Sequence, residues 1–254
     1  MTVNQQTLYN SNWPEWLDMK RYGPASRWLR WLISLLLDQI KSPSEITTIL
    51  DVGCGEGTNT ELLARRFRHA KVFGTDISIT GILCAQNYYQ LPNLIFRHEC
   101  ALEYLDSFYD MVTCFEVLEH VPHWQDFLTK LTLVTKKYLM LSFPTGRMRK
   151  FEENMGHLRN FKKYEVENFL LPLGFRAVRT FYAGFPFFSP LYRELCNLFH
   201  IGHASFSRGK YGWSQLVCSQ IFFQLFCRFS TKERLGDQFC GLFVNQNWQA
   251  QSGR

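Results

Sequence analysis

The sequence predicts an α/β protein built on a parallel sheet with helices on both faces. Short β-rich runs alternate with longer helical ones from Thr47 onward, and the first of those runs passes through glycines straight into a helix. Of the 254 residues, 46% are hydrophobic and 20% charged, enough to bury one substantial core and too little for two.

The N-terminal forty residues read as helical, because Trp28, Leu29, Leu32, Ile33, Leu36 and Ile40 recur at spacings that share one face. Ser42-Pro43-Ser44 ends that pattern. The β-like runs are Thr47 to Val52, Lys71 to Asp76, Asn93 to Arg97, Asp110 to Phe115 and Tyr138 to Ser142. Between them, Thr60 to Phe67, Ile79 to Tyr89 and His123 to Thr135 are long enough for crossover helices. Phe175 to Tyr182 and Asp237 to Asn245 read as two further strands, separated by too many residues for a hairpin. Within that gap, Tyr192 to His200 and Gln215 to Phe229 are helical in pattern and unusually aromatic. The expected organisation is an N-terminal helical cap over 1–44, a main domain of 45–182 with 237–248, and an aromatic-rich helical insert or lid over 183–236.

Lys plus Arg at 28 against Asp plus Glu at 22 leaves +6, a balance that selects no partner. The composition excludes a disordered or collagenous chain. Cys54, Cys84, Cys100, Cys114, Cys196, Cys218, Cys227 and Cys240 form no C-x-x-C pair, so structural zinc spacing is absent and reduced thiols in a cytoplasmic protein are expected. The first 25 residues lack the charged-then-apolar pattern of a signal peptide. Trp28 to Leu37, the most apolar stretch, contains Arg30 and falls short of the ~20 residues of a membrane span. A soluble chain, at most peripheral to a membrane, is expected.

The strongest local signal is Ile49-Leu50-Asp51-Val52-Gly53-Cys54-Gly55-Glu56-Gly57-Thr58-Asn59-Thr60. Glycines at alternate positions let a backbone approach a ligand at the carboxyl end of a first strand. A dinucleotide site calls for G-x-G-x-x-G, but Thr58 stands where its third glycine would fall, and Asp51 precedes the loop. A carboxylate there suits a ligand bearing an ammonium group better than a diphosphate. Asp76 ends the next β-run at about the ~20-residue interval at which an acid meets ribose hydroxyls.

These residues resemble motif I of class I S-adenosylmethionine-dependent methyltransferases, and Phe73-Gly74-Thr75-Asp76-Ile77-Ser78 resembles their second motif. The likeness continues through Phe108-Tyr109-Asp110-Met111-Val112, Cys114-Phe115-Glu116-Val117-Leu118-Glu119-His120-Val121, Gly156-His157-Leu158-Arg159 and Leu173-Gly174-Phe175. It implies a Rossmann-like seven-stranded, mostly parallel sheet with an antiparallel last strand and a helical insert between the last two strands. It further implies Asp51, Gly53 and Gly55 around the methionine moiety of S-adenosyl-L-methionine, with Cys54, Gly57 and Ile77 also in the cofactor site. Asp76 would lie at the ribose hydroxyls, Glu99 and Cys100 near the adenine, and Phe115 and Glu116 after the fourth strand. Cys100 departs from the family pattern.

Methyl transfer from a sulfonium needs an oriented acceptor and removal of its proton. Glu116, Glu119 and His120, at i, i+3 and i+4 of an expected helix start, would point together, and His157 would approach from the loop after the fifth strand. Two carboxylates with imidazoles suit a divalent cation such as Mg or Zn. The arrangement resembles that of ubiquinone-pathway O-methyltransferases (the type-11 group) and of small-RNA 2′-O-methyltransferases. The alternatives are that His120 or His157 acts as a metal-free base, or that neither histidine acts and Glu119 and His120 only cap and pack the helix.

The acceptor is less legible. Arg147, Arg149, Lys150, Arg159, Lys162 and Lys163 read as a solvated rim sooner than as an anion site. No basic stripe interleaved with aromatics marks a nucleic-acid path, so RNA is disfavoured. Phe181 to Phe188, Pro190-Leu191-Tyr192, Ile221-Phe222-Phe223 and Leu225-Phe226 would line an apolar acceptor pocket, touch a membrane surface, or pack the insert onto the sheet. The expected activity is O-methylation of a hydroxylated small-molecule, glycosyl or lipid-like acceptor. N- or C-methylation and a non-catalytic cofactor-binding scaffold are the alternatives.

Overall fold

The computed structural model describes residues 3–99, 108–198 and 209–248, with the side chains described from residue 12 onward. Its helices are α1 (Val3–Tyr22), α2 (Pro24–Leu37), α3 (Thr58–Arg66), α4 (Ile79–Tyr88), α5 (Trp124–Val134), α6 (Lys150–Asn154), α7 (Glu165–Leu170), α8 (Arg193–Leu198) and α9 (Trp213–Phe229). Its strands are β1 (Thr48–Val52), β2 (Lys71–Asp76), β3 (Leu94–His98), β4 (Tyr109–Phe115), β5 (Thr135–Pro144), β6 (Phe175–Ala183) and β7 (Gln238–Asn245).

The seven strands run in the order β3-β2-β1-β4-β5-β7-β6. β1 to β5 pair in parallel, whereas β7 slots between β5 and β6 antiparallel to both. The central strands are buried on both faces, as a sheet covered by helices on each side requires. Alternation along them divides the core. Ile49, Met111, Met140 and Leu242 face a layer holding Trp28, Leu32, Leu36 and Phe67; Leu50, Val112, Leu139 and Phe243 face one holding Trp124, Leu128 and Val166.

The periodic residues of the N-terminal region do form the buried stripe of α2, with Leu32, Ile33 and Leu36 wholly enclosed. Between β6 and β7 the chain rises through Phe187–Tyr192, α8 and α9. α9 lies against α2, joined by an aromatic cluster in which Trp28 meets Phe188 at 4.5 Å and Phe226 at 5.8 Å. Some elements differ from the expectation for physical reasons. β5 begins at Thr135 rather than Tyr138, because Thr135 already pairs with Tyr109 of β4 ahead of a register shift, and Lys137 Nζ meets Asp110 Oδ1 at 3.3 Å. α6 and α7, of five and six residues, are too short to show a periodic stripe.

Candidate active site

The carboxyl end of β1 turns into the glycine loop, where Gly53 and Gly55 have φ of +73° and +55°. Both positions also lack room for a side chain. A Cβ on Gly53 would strike the Val117 side chain, and one on Gly55 would strike the Trp13 ring. Gly53 and Cys54 donate their N–H groups to Thr75 O at 2.8 and 3.0 Å, which ties the loop to the end of β2. There Asp76 accepts from Gly55 N–H at 2.8 Å and Ser78 N–H at 2.7 Å, so the second acid braces the glycine loop directly. Burial raises the Asp76 pKa, opposed by those two backbone donors.

Asp51 lies beneath the loop, off the cavity wall. Its carboxylate accepts from Thr60 Oγ1 at 2.6 Å and Thr113 Oγ1 at 2.7 Å, and burial carries its pKa up to about 6 against those two bonds. Asp51 thus clamps α3 and β4 to β1.

Next to that loop, the turn after β4 carries the acid and imidazole groups. The expectation of a regular helix face for Glu116, Glu119 and His120 is corrected. Glu116 has φ +57°, and Leu118–His120 is a single 3₁₀ turn. The left-handed residue sends Glu116 back toward β5 and β7, where Oε1 accepts from Ser142 Oγ at 2.8 Å and Gln238 Nε2 at 2.9 Å. Burial nonetheless raises its pKa.

Glu119 is wholly buried, and neither carboxylate oxygen has a hydrogen-bond donor among the described residues; His120 Nε2 stands 3.9 Å from Oε1. Burial, and then the charge of Glu116, push the Glu119 pKa well up. His120 Nδ1 lies 3.0 Å from Gly156 O; a carbonyl only accepts, so the proton sits on Nδ1 and Nε2 keeps its lone pair. The His157 ring is 4.6 Å from that of His120, edge to face. Burial lowers the two imidazoles to about 3 (His120) and about 4 (His157). Both are therefore neutral near pH 7. One ligand atom each from Glu119, His120 and His157 falls within 4.8 Å of the others.

One cavity joins these groups. Gly53, Cys54, Gly55, Asp76, Phe115, Glu116, Glu119, His120 and His157 all line it. Gly57, Ile77 and Glu99 do not, and Cys100 falls outside the described residues. Glu99 instead donates its N–H to Asp76 O at the edge of the sheet.

Several lining residues escaped the sequence reading. Trp13, Trp16 and Lys20 of α1 and Arg30 of α2 form a roof. Arg30 donates to Lys20 O at 2.7 Å and Arg21 O at 2.6 Å, pinning the end of α1. From the insert come Phe188 and Tyr192, two of the aromatics expected at an apolar acceptor pocket, together with Arg193 and Cys196, which the sequence pattern did not single out. Buried Arg193 pairs with Glu152 and reaches Asp237 O at 3.3 Å. Arg149, expected on a solvated rim, is buried instead, and its Nε donates to Glu194 at 2.7 Å. Gln238 carried one signal: it is the polar start of the apolar run Phe239 to Val244.

The order of strands, with a glycine loop after β1 and an acid at the tip of β2, is the architecture of a class I S-adenosylmethionine-dependent methyltransferase domain. Residues 49–138 match the family described as "Methyltransferase domain". A ubiquinone biosynthesis O-methyltransferase of Coxiella burnetii is 34% identical over 120 residues, 46% of this chain and 46% of that relative. The chain thus spans about half the length of the curated relatives it matches. Among solved structures, the magnesium protoporphyrin IX methyltransferase from Synechocystis PCC 6803 with bound SAH superposes with a TM-score of 0.60 at 16% identity. That match covers 95% of this chain and 99% of the other. A [4+2]-cyclase superposes at 0.58 with 16% identity, covering 85% and 80%, so the fold is shared by a protein named for a different reaction.

Proposed function

We propose that the chain transfers a methyl group from S-adenosyl-L-methionine to a hydroxyl of an apolar small-molecule or lipid-like acceptor. The observation that carries this reading is the shared cavity: the glycine loop and Asp76 line it together with Glu116, Glu119, His120 and His157. On this reading Asp76 accepts hydrogen bonds from the ribose hydroxyls, with Gly53 to Gly55 against the methionine part. The roof from α1 keeps water from the sulfonium. Leu29, Phe151, Met155, Phe188 and Tyr192 give the acceptor side an apolar wall. That wall favours a lipid-like or aromatic acceptor over a sugar or a nucleic acid. Free thiols at all seven described cysteines fit a reducing, cytoplasmic setting. Among the described residues no helix is long and apolar enough to cross a membrane.

A divalent cation fits this site on the chemistry of its donors. A buried carboxylate without a donor is costly unless it is protonated or faces a cation, and neutral imidazoles are the form that metals bind. Glu119, His120 and His157 would hold it, with Glu116 alongside. Such an ion would supply Lewis acidity toward the acceptor hydroxyl. The Gly156 carbonyl fixes the tautomer that presents His120 Nε2, and Ser142 and Gln238 hold Glu116 in place.

The test is incubation with methyl-labelled S-adenosyl-L-methionine and a panel of hydroxylated aromatic and isoprenoid compounds, with magnesium, with zinc, or with chelator. Label in an ether product supports the reading. Label on nitrogen or carbon moves it to N- or C-methylation, and cofactor binding without any labelled product supports a scaffold. Activity unchanged by chelator and by Glu119→Ala removes the cation.

A further inference from the structure

α9 carries apolar side chains on two faces, one packed on the protein and one exposed. The inner face packs Phe226 against Trp28, and both Phe222 and Phe226 against Tyr192, at 5.2 to 6.0 Å including their own contact. The outer face carries Trp213, Leu216, Val217 and Ile221, at i, i+3, i+4 and i+8. They are 81, 39, 38 and 55% exposed. An apolar helix face belongs in a core or against another apolar phase, and this outer one is covered by nothing among the described residues.

The charge around that face is predominantly positive. From Leu195 to Lys232 the sequence holds no Asp or Glu, while Lys210, Arg228 and Lys232 are exposed about α9. Arg27 of α2 adds a fourth cation beside it, stacked 4.3 Å over the Phe223 ring and bonded to Gln220 Oε1 at 2.7 Å. Three acids lie near the ends of α9: Glu15, whose backbone carbonyl accepts from Gly209 N–H at 2.9 Å, Asp18 and Glu233. Glu233 pairs with Arg179, and Asp18 accepts from Tyr211 N–H at 2.7 Å.

We propose that the outer face of α9 docks on an anionic lipid surface, with Trp213, Leu216, Val217 and Ile221 entering the interface and Arg27, Lys210, Arg228 and Lys232 meeting the head groups. An amphipathic helix lying in the interface plane combines this apolar face with basic flanks. A second copy of the chain is the poorer occupant. A two-fold contact would set the predominantly cationic rim against itself. The placement also has a use: Tyr192 lines the cavity and packs, tilted and edge-on, against Phe222 and Phe226 on the inner side of the same helix, so a docked bilayer would lie one helix from the acceptor wall. That use rests on the methyl-transfer reading, whereas the docking itself does not.

The experiment is flotation of the full chain with phosphatidylcholine vesicles and with vesicles of phosphatidylcholine mixed with phosphatidylglycerol, at low and high salt. Three proteins are compared: the unaltered chain, Trp213→Ser with Ile221→Ser, and Arg228→Gln with Lys232→Gln. The unaltered chain is expected to float with the anionic vesicles and to release in high salt. Each double variant should bind about tenfold more weakly, the first through lost apolar burial and the second through lost charge. All three should keep the same S-adenosylhomocysteine affinity and unfolding midpoint, since the altered side chains are exposed and lie off the cavity. No flotation with either vesicle, or flotation unchanged by both double variants, would overturn the proposal. So would light scattering that shows a dimer dissolved by the Trp213 and Ile221 changes. Docking without turnover on any acceptor would leave this surface standing and defeat only the methyl-transfer reading.

Discussion

Replacing Gly55 by alanine probes the contact between the glycine loop and the helix that covers it. At φ +55° the new residue would bear the left-handed penalty of about 1–2 kcal/mol. Its Cβ would also meet the Trp13 ring, an overpacking of about 1–3 kcal/mol that pushes α1 off the loop. The total, about 2–5 kcal/mol, lowers the midpoint of thermal unfolding by roughly 2–4 °C for each kcal/mol in a chain of this size. Trp13→Ala alone removes a buried ring and costs about 3 kcal/mol. In the double variant the overpacking is gone and only the backbone penalty of Gly55→Ala remains. The two changes should therefore be coupled by about 1–3 kcal/mol. Denaturant unfolding of the four proteins in parallel reads that coupling. Losses that add to within about 0.5 kcal/mol would refute the placement of α1 on the loop.

Further consequences concern the acid and imidazole groups. Gln238→Leu deletes one of the two donors to Glu116, so the Glu116 pKa rises further. The acidic limb of the pH–rate profile should move up by about one pH unit, a shift that a purely structural lesion would not produce. Glu119 has its folded pKa raised, so the metal-free fold binds an extra proton and loses stability as pH rises above the ordinary glutamate range. Glu119→Gln should remove that loss and stabilise the metal-free protein at pH 8 by about 1 kcal/mol or more, in unfolding measured at pH 5 and 8. His120 and His157 act in the opposite sense. Their folded pKa values, about 3 and about 4, lie below the unfolded 6.5. Their contribution is complete above 6.5 and is lost as pH falls toward those values. His157→Gln should flatten the stability curve between pH 4 and 6.5, which urea unfolding across that window measures.

The parts of the fold set by local pattern were readable from the chain. Lys71 to Asp76 became β2 with both ends as expected, and Ile79 to Tyr89 became α4 within one residue, because each carries its periodicity and its breakers nearby. The glycine loop was readable for the same reason. The convergence of Glu116, Glu119 and His120 was anticipated for the wrong cause: a left-handed residue and a 3₁₀ turn, not helical spacing, bring them together. Long-range partners were not readable. Gln238 reaches Glu116 only because β7 inserts beside β5, with 122 positions between the two residues. Trp13 and Lys20 reach the cavity only because α1 folds back over α4. Asp51 reads as a ligand contact in sequence, yet two hydroxyls, from α3 and from β4, claim its carboxylate.

Titration calorimetry with S-adenosylhomocysteine asks most directly whether this cavity is a cofactor site. The predicted result is a single site of micromolar affinity, weakened about thirtyfold or more by Asp76→Ala, which removes the carboxylate proposed for the ribose hydroxyls. No heat with S-adenosylhomocysteine or S-adenosylmethionine, alongside tight binding of a nicotinamide dinucleotide, would contradict it.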